Sequence, residues 1–239
     1  MDRQAFIAGE LVDLLVPSEQ DIEDGWADWF NDQPTCRFLG HGAFPMFPAD
    51  QRAFLESLRK RDRIALMLRP KGEEKTIGTV SLSSLDLHNR TAQIALVLGA
   101  RTPGRHSLLP LEGMARLMEH GFEVLGLRRI WAGQAFPGLS KWSRKLEVLG
   151  LLCEGHARGG FARGRVVTDS IPLGCLVEDY DALRASRDGR FWSSAVEMQA
   201  EIDALPKTPF AEEVAAAMEE LRRARFPHLA QNPGPSAGR

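Results

Sequence analysis

Apolar and polar residues alternate in two rhythms along the first three quarters of the chain. Alternation at every second position predicts β-strands at residues 10–16, 76–85 and 92–98, whereas apolar residues three or four apart predict a long helix that ends before Gly126. The remaining predicted elements are helices at 19–30, 50–61 and 140–149 and strands at 64–68, 129–132, 151–156 and 166–177. This order predicts a mixed α/β fold with an antiparallel front half.

After residue 177 the pattern changes to helices separated by Pro206 and Pro209, and residues 210–225 have the most regular helical spacing. We therefore divide the chain into a domain at 1–177, a helical C-terminal extension at 178–227 and a flexible tail at 228–239. The extension is too apolar for a free segment. Its helices are expected to pack either against the domain or against a second copy, which leaves a homodimer open.

Charge and cysteine content narrow the classes of partner. The 30 basic and 32 acidic residues give a net charge of -2, so no cationic field attracts a nucleic acid polymer or a membrane surface. The three cysteines are widely spaced and form no zinc or redox motif, which favours a reduced cytoplasmic setting and no bound metal. No apolar run near the N-terminus is long enough for a signal peptide.

Four short stretches stand in a specific order. Ile-Gly-Thr-Val at 77–80 precedes Asn-Arg-Thr-Ala-Gln-Ile at 89–94, Phe-Glu-Val-Leu-Gly-Leu-Arg-Arg-Ile follows at 122–130, and Leu-Glu-Val-Leu-Gly-Leu comes at 146–151. Together they resemble N-acetyltransferases of the GNAT superfamily, especially the branch of ribosomal-protein and nucleotide-sugar N-acetyltransferases. The resemblance implies a GNAT-type α/β fold, acetyl-CoA as co-substrate and a small amine as acceptor.

The resemblance also implies where acetyl-CoA binds. A splayed strand edge would hold the pantetheine arm, and the backbone at the start of the following helix would hold the pyrophosphate. The expected coenzyme-binding residues are Leu96, Val97, Leu98, Arg105, His106, Ser107, Leu108, Leu109, Pro110 and Ser140. The family's phosphate turn has small residues at two positions that are occupied here by Leu108 and Pro110. An alternative register over residues 101–106 restores Gly104 but needs extra residues before the helix.

Candidate catalytic groups follow from the same comparison. Gln93 occupies the position of a glutamate that serves many relatives as the base, and an amide cannot take a proton. His41, in a loop that would border the acceptor, is one replacement, and His88 is another. The alternative interpretation, which loops favour in general, is that both are exposed loop histidines.

The position of the family's acidic tyrosine is occupied by Leu146, which leaves Ser143 as a hydrogen-bond donor to the coenzyme sulfur. A helix-capping or exposed-face serine is the alternative interpretation. Cys36 has no activating partner in the sequence, so direct attack by the amine is expected instead of an acetyl-enzyme.

The acceptor class is the least determined feature. Segments 29–32, 44–45 and 50–54 are similar to nucleotide-sugar amino-group acetyltransferases. A protein N-terminus or a polyamine is the alternative acceptor, and a non-catalytic acyl-CoA-binding or scaffolding protein is the alternative of another class.

Overall fold

The alternating segments form a single mixed sheet of eight strands in the computed structural model, which describes residues 3–99 and 108–229. The strands are β1 (Val12–Leu15), β2 (Ile64–Pro70), β3 (Gly78–Asp86), β4 (Thr91–Leu98), β5 (Arg129–Phe136), β6 (Leu152–Cys153), β7 (Ala157–Arg163) and β8 (Val166–Leu176). Their order is β1-β2-β3-β4-β5-β8-β6, with β7 also paired to β8. Only the β4–β5 pair is parallel among the described strands.

Seven α-helices accompany the sheet in the described residues. They are α1 (Glu19–Glu23), α2 (Pro48–Ser57), α3 (Leu109–Glu123), α4 (Ser140–Leu146), α5 (Val177–Ser186), α6 (Ala195–Ala204) and α7 (Phe210–Arg225). Short 3-10 turns extend α2 and α4, and others lie at Ala27–Phe30, Thr35–Phe38 and Pro227–Leu229. No helix of the described residues is long and apolar enough to cross a membrane.

Two hydrophobic cores lie on opposite faces of the sheet because successive strand residues point to opposite sides. On β2, Leu66 and Leu68 join the larger core with α3, whereas Met67 between them joins the smaller core with α1 and its neighbours. On β4, Ile94 belongs to the larger core and Val97 packs against the smaller one. The sheet therefore separates an α3/α4 face from an α1/α2 face.

The predicted helix at 19–30 is interrupted in the structure. It ends after Glu23, where Gly25 adopts a φ of +96°, and only a 3-10 turn follows. Glycine adopts this left-handed conformation without steric cost, so it ends the helix there. Strand β7 was absent from the prediction, because its sequence Ala-Arg-Gly-Gly-Phe-Ala-Arg is mostly exposed and shows no apolar alternation.

The C-terminal helices share the larger core with the sheet. Tyr180, Phe191 and Trp192 are at most 3% exposed and belong to the same cluster as the α3 residues. The Trp192 indole N–H donates to Glu10 at 2.9 Å. Packing against the domain is therefore what the structure shows for these helices. Residues 230–239 of the predicted tail lie outside the described residues.

Candidate active site

Strands β4 and β5 pair at their beginnings and then separate. The last pair in their parallel register is Gln93 with Trp131, yet β4 continues to Leu98 and β5 to Phe136. Each strand stays paired on its outer side, β4 with β3 and β5 with β8. The inner backbone edges beyond Gln93 and Trp131 therefore have no strand partner among the described residues, and they form a fork that can hydrogen-bond an extended ligand.

A cavity of about 380 Å³ occupies this fork. Both strands line it, together with residues of α3, the α4 region and the segment between α1 and α2. The lining residues are Thr35, Phe38, Leu39, Gln93, Ile94, Ala95, Leu96, Val97, Leu98, Met114, Ala132, Gly133, Gln134, Leu139, Trp142 and Leu146. Apolar side chains dominate the lining, as in many ligand sites.

No Asp, Glu, Lys, Arg or His is among the described residues that line the cavity. Gln93 and Gln134 are its main polar side chains, one from each strand of the fork. Strand alternation places Gln93 on the α1/α2 face beside Ser83, its partner in the β3–β4 register. Gln134 lies on the α3/α4 face with Ala132. The cavity therefore offers amides and backbone groups instead of an ionisable acid or base.

A larger polar depression of about 760 Å³ lies elsewhere, between β1, α1 and the β2–β3 turn. Two of its carboxylates are ion-paired: Asp13 accepts from Lys71 at 2.7 Å and Asp21 from Arg3 at 2.9 Å. No two separating strands are among the described residues that line this depression. We therefore assign the candidate site to the β4–β5 cavity.

The predicted coenzyme residues divide into three groups. Leu96, Val97 and Leu98 line the cavity, as expected of the strand that would hold the pantetheine arm. Leu108, Leu109 and Pro110 are buried at the start of α3 and do not line the cavity. Arg105, His106 and Ser107 lie outside the described residues.

The hydroxyls of the two serines of α4 bind backbone carbonyls close to them in sequence. Ser140 donates to the Pro137 carbonyl and Ser143 to the Ser140 carbonyl, both at 2.8 Å, and both serines are buried. The cavity is instead lined from this region by Leu139, Trp142 and Leu146. The structure thus brings the position of the family's tyrosine, Leu146, into the site, while neither serine lines the cavity.

His41 lies at the rim and not in the cavity. Its side chain is exposed and its ring centroid is 5.1 Å from that of Phe30. The His41 carbonyl accepts a hydrogen bond from Arg163 of β7, which also donates to the Gln33 amide oxygen at 2.8 Å. His88 is exposed in the β3–β4 turn and does not line the cavity. A catalytic role for His41 stays a prediction. Arg163 of β7 holds the loop that contains His41.

The three thiols are not arranged for covalent catalysis. Burial raises the pKa of Cys175 to about 12. Burial also raises the pKa of Cys36 and of Cys153. A protonated buried thiol is a poor nucleophile. The described residues also contain no group of His, Cys, Asp and Glu that could hold a metal ion.

Sequence comparison identifies the family. The acetyltransferase (GNAT) domain model matches residues 13–135, just over half of the 239-residue chain, so the chain belongs to the GNAT acetyltransferases, which use acetyl-CoA. The open inner edges of the fork fit a pantetheine arm. The protein is an acetyl-CoA-dependent N-acetyltransferase. No curated protein matches the sequence significantly.

Solved acetyltransferase structures share the fold at low sequence identity. Spermidine N-acetyltransferase from Vibrio cholerae, in complex with CoA and spermine, is 16% identical with a TM-score of 0.64, over 72% of this chain and 99% of that one. A GCN5-related N-acetyltransferase from Brucella melitensis is 19% identical with a TM-score of 0.64, over 85% and 96%. The microcin C7 self-immunity acetyltransferase MccE, in complex with acetyl-CoA and AMP, is 19% identical with a TM-score of 0.59, over 70% and 93%.

Sequence reasoning missed Gln134 and Trp142. Gln134 lies after residue 132, where β5 was predicted to end. Trp142 lies in α4, for which only the serines had been predicted as site residues. The three-residue and four-residue spacing of Leu139, Trp142 and Leu146 is the signal that could have indicated this face.

Proposed function

We propose that this acetyltransferase transfers the acetyl group directly to the amino group of a nucleotide-linked sugar. The observation that supports this acceptor is the absence of carboxylates from the described lining of the cavity, combined with the aromatic lining residue Phe38 next to the basic Arg37. Phe38 lines the cavity, and the Arg37 guanidinium lies 5.1 Å from its ring centroid. An aromatic face suits a nucleobase and a guanidinium suits phosphate oxygens.

A polyamine is the less favoured acceptor. Polyamines carry several positive charges, and a site that binds them needs carboxylates to compensate for the loss of hydration. The Vibrio cholerae enzyme in complex with spermine shares the fold, but its acceptor does not transfer at 16% identity. A protein N-terminus is the remaining alternative acceptor.

The reaction needs little acid–base chemistry from the protein. Acetyl-CoA supplies the thioester, whose C–S bond breaks as the amine forms the C–N bond. Gln93 orients the amine through its amide oxygen but cannot take a proton, so the amine arrives neutral and its extra proton passes to water. Water also protonates the departing thiolate. The open N–H groups of β4 polarise the thioester carbonyl, and alignment of the two substrates supplies much of the rate.

The pH profile tests this mechanism. If no side chain acts as the base, kcat/KM rises with pH up to the pKa of the acceptor amine, and the profile moves when an amine of different pKa is used. A limb that keeps its position with every amine and disappears in His41→Ala would instead assign the base to His41. Mass spectrometry after incubation with acetyl-CoA alone is expected to show no acetyl-enzyme.

The acceptor class is tested by a turnover screen with UDP-linked amino sugars, spermidine and a peptide with a free N-terminus. We expect kcat/KM for an amino sugar nucleotide to exceed the others by at least about tenfold, a difference of ~1.4 kcal/mol. A preference for spermidine or the peptide would replace the proposed acceptor. Binding of acetyl-CoA without turnover of any amine would favour the non-catalytic acyl-CoA-binding alternative.

A further inference from the structure

Gln134 is a buried polar residue without a complete set of partners. It is 8% exposed, lines the fork cavity, and its buried Oε1 has no hydrogen-bond partner among the described residues. A buried acceptor left unpaired costs on the order of 1–3 kcal/mol, and native structures contain few of them. This side chain therefore needs an explanation beyond packing.

The position of Gln134 in β5 makes the choice of residue more unusual. Alternate residues of the strand, Ile130, Ala132 and Phe136, point to the same face and are all apolar members or neighbours of the larger core. Gln134 is the polar exception, and it lies beyond Trp131, where β4 no longer covers β5. An apolar residue would be sufficient for core packing at this position. The amide is therefore explained by a ligand that enters the fork.

The surroundings restrict the chemistry of that ligand group. No acidic or basic side chain of the described residues lines the cavity, and Ala132, Met114 and Leu146 provide apolar walls. A charged ligand group would lose its hydration without compensation here. A neutral N–H donor carried on a slender, largely apolar chain fits both the walls and the unpaired oxygen.

The pantetheine arm of acetyl-CoA has this chemistry, since it carries secondary amides between short alkyl segments. We propose that Gln134 Oε1 accepts a hydrogen bond from a pantetheine amide N–H and thereby positions the arm against β5, opposite the open edge of β4. Gln134 is thus a coenzyme-binding residue of the second strand. This inference rests on the use of acetyl-CoA and does not depend on the acceptor class.

The test compares the wild type with Gln134→Met, which keeps the size of the side chain but removes the amide. Gln51→Met is the matched control, because Gln51 is also a buried glutamine, 4% exposed, and lies on α2 outside the cavity. Isothermal titration measures the binding of acetyl-CoA and of adenosine 3′,5′-bisphosphate, which lacks the pantetheine arm. Thermal unfolding without ligand reports the folding of each variant.

We expect Gln134→Met to weaken acetyl-CoA binding by about tenfold, ~1.4 kcal/mol, with unchanged binding of the bisphosphate. Its unfolding midpoint without ligand should equal or exceed that of the wild type, because an unpaired buried acceptor has been removed. Gln51→Met should bind as the wild type does.

Two results would overturn the inference. One is acetyl-CoA affinity in Gln134→Met equal to that of the wild type. The other is a lowered midpoint together with equal losses for acetyl-CoA and the bisphosphate, which would indicate a structural role. Failure of the wild-type protein to bind acetyl-CoA would be a different outcome, because it would reject the enzyme function itself.

Discussion

Glu112 is a fully buried carboxylate that joins α3 to the first strand. It lies in the first turn of α3 with 0% exposure. Its Oε1 accepts from the Glu10 backbone N–H at 2.5 Å, and its Oε2 accepts from Leu11 at 2.6 Å and from Val12 at 3.2 Å. The Arg116 guanidinium pairs with Oε1 at 3.2 Å. We therefore predict that Glu112→Gln strongly destabilises the protein.

The size of the effect follows from the donors that Glu112 accepts. In Glu112→Gln one acceptor oxygen becomes an NH₂ donor, so in either orientation of the amide at least one buried backbone N–H loses its partner. An unpaired buried donor costs about 1–3 kcal/mol, and the remaining bonds lose their charge-assisted strength. Arg116 also loses its buried counter-charge. We expect a loss of about 3 kcal/mol from a total stability on the order of 5–15 kcal/mol.

Glu119→Gln is the matched control, because Glu119 is on the same helix and pairs with the same Arg116, at 3.3 Å, but is partly exposed. Exposed ion pairs contribute about 0–1 kcal/mol. Urea unfolding followed by circular dichroism gives the free energy of unfolding of both variants and the wild type. Equal losses in the two variants would refute the role assigned to the buried Glu112 network.

Three further changes test other parts of the molecule. Truncation after Val177 should abolish cooperative unfolding, because it removes Phe191 and Trp192 from the main core; a cooperative transition in the truncated chain would contradict this. Arg163→Met should raise KM for the amine by about tenfold, ~1.4 kcal/mol, and leave KM for acetyl-CoA unchanged, because Arg163 binds the loop that contains His41. Equal changes of the two KM values in steady-state kinetics would contradict this. The bidentate Arg129 guanidinium lowers the pKa of Glu154. Glu154→Gln should therefore lower the free energy of unfolding by at most about 1 kcal/mol above about pH 4.3, and this loss should vanish as the pH falls through the lowered pKa. Denaturation measured at falling pH from about pH 7 tests this difference, and a cost that stays constant throughout would reject it.

Much of the fold could be predicted because its strands and helices have regular periods. The helix predicted at 210–225 coincides with α7 (Phe210–Arg225), and the strand predicted at 92–98 differs from β4 by one residue. Strand β7 could not be predicted, since its pairing with β8 depends on backbone hydrogen bonds and its side chains are exposed.

The lining of the candidate site was predictable only along the splayed strand. Leu96, Val97 and Leu98 line the cavity as predicted, because any residue on such a strand presents the same backbone groups. Gln134 could not be assigned, because its burial and its unpaired oxygen depend on how β5 separates from β4. The Ser143 side chain can donate a hydrogen bond, but its hydroxyl donates to a backbone carbonyl of its own helix, as serine hydroxyls often do.

The C-terminal extension takes part in forming the site through α4. The family match ends at residue 135, before α4, although Leu139, Trp142 and Leu146 form one wall of the cavity. Arg144 of α4 donates to the carbonyls of Ile202 and Leu205 at 2.8 and 2.7 Å, and to that of Pro206 at 2.6 Å.

Glu147, immediately after α4, accepts from the Phe210 backbone N–H at 2.9 Å, at the start of α7, where the helix dipole favours a carboxylate. Burial raises the pKa of Glu147, so this bond to a helix N-terminus helps to keep it ionised. The helices beyond the matched domain therefore bind the outer side of α4 while its inner side faces the cavity. In this chain the wall opposite the open edge of β4 is positioned by the extension, so the extension supports the candidate site and is not a mere appendage.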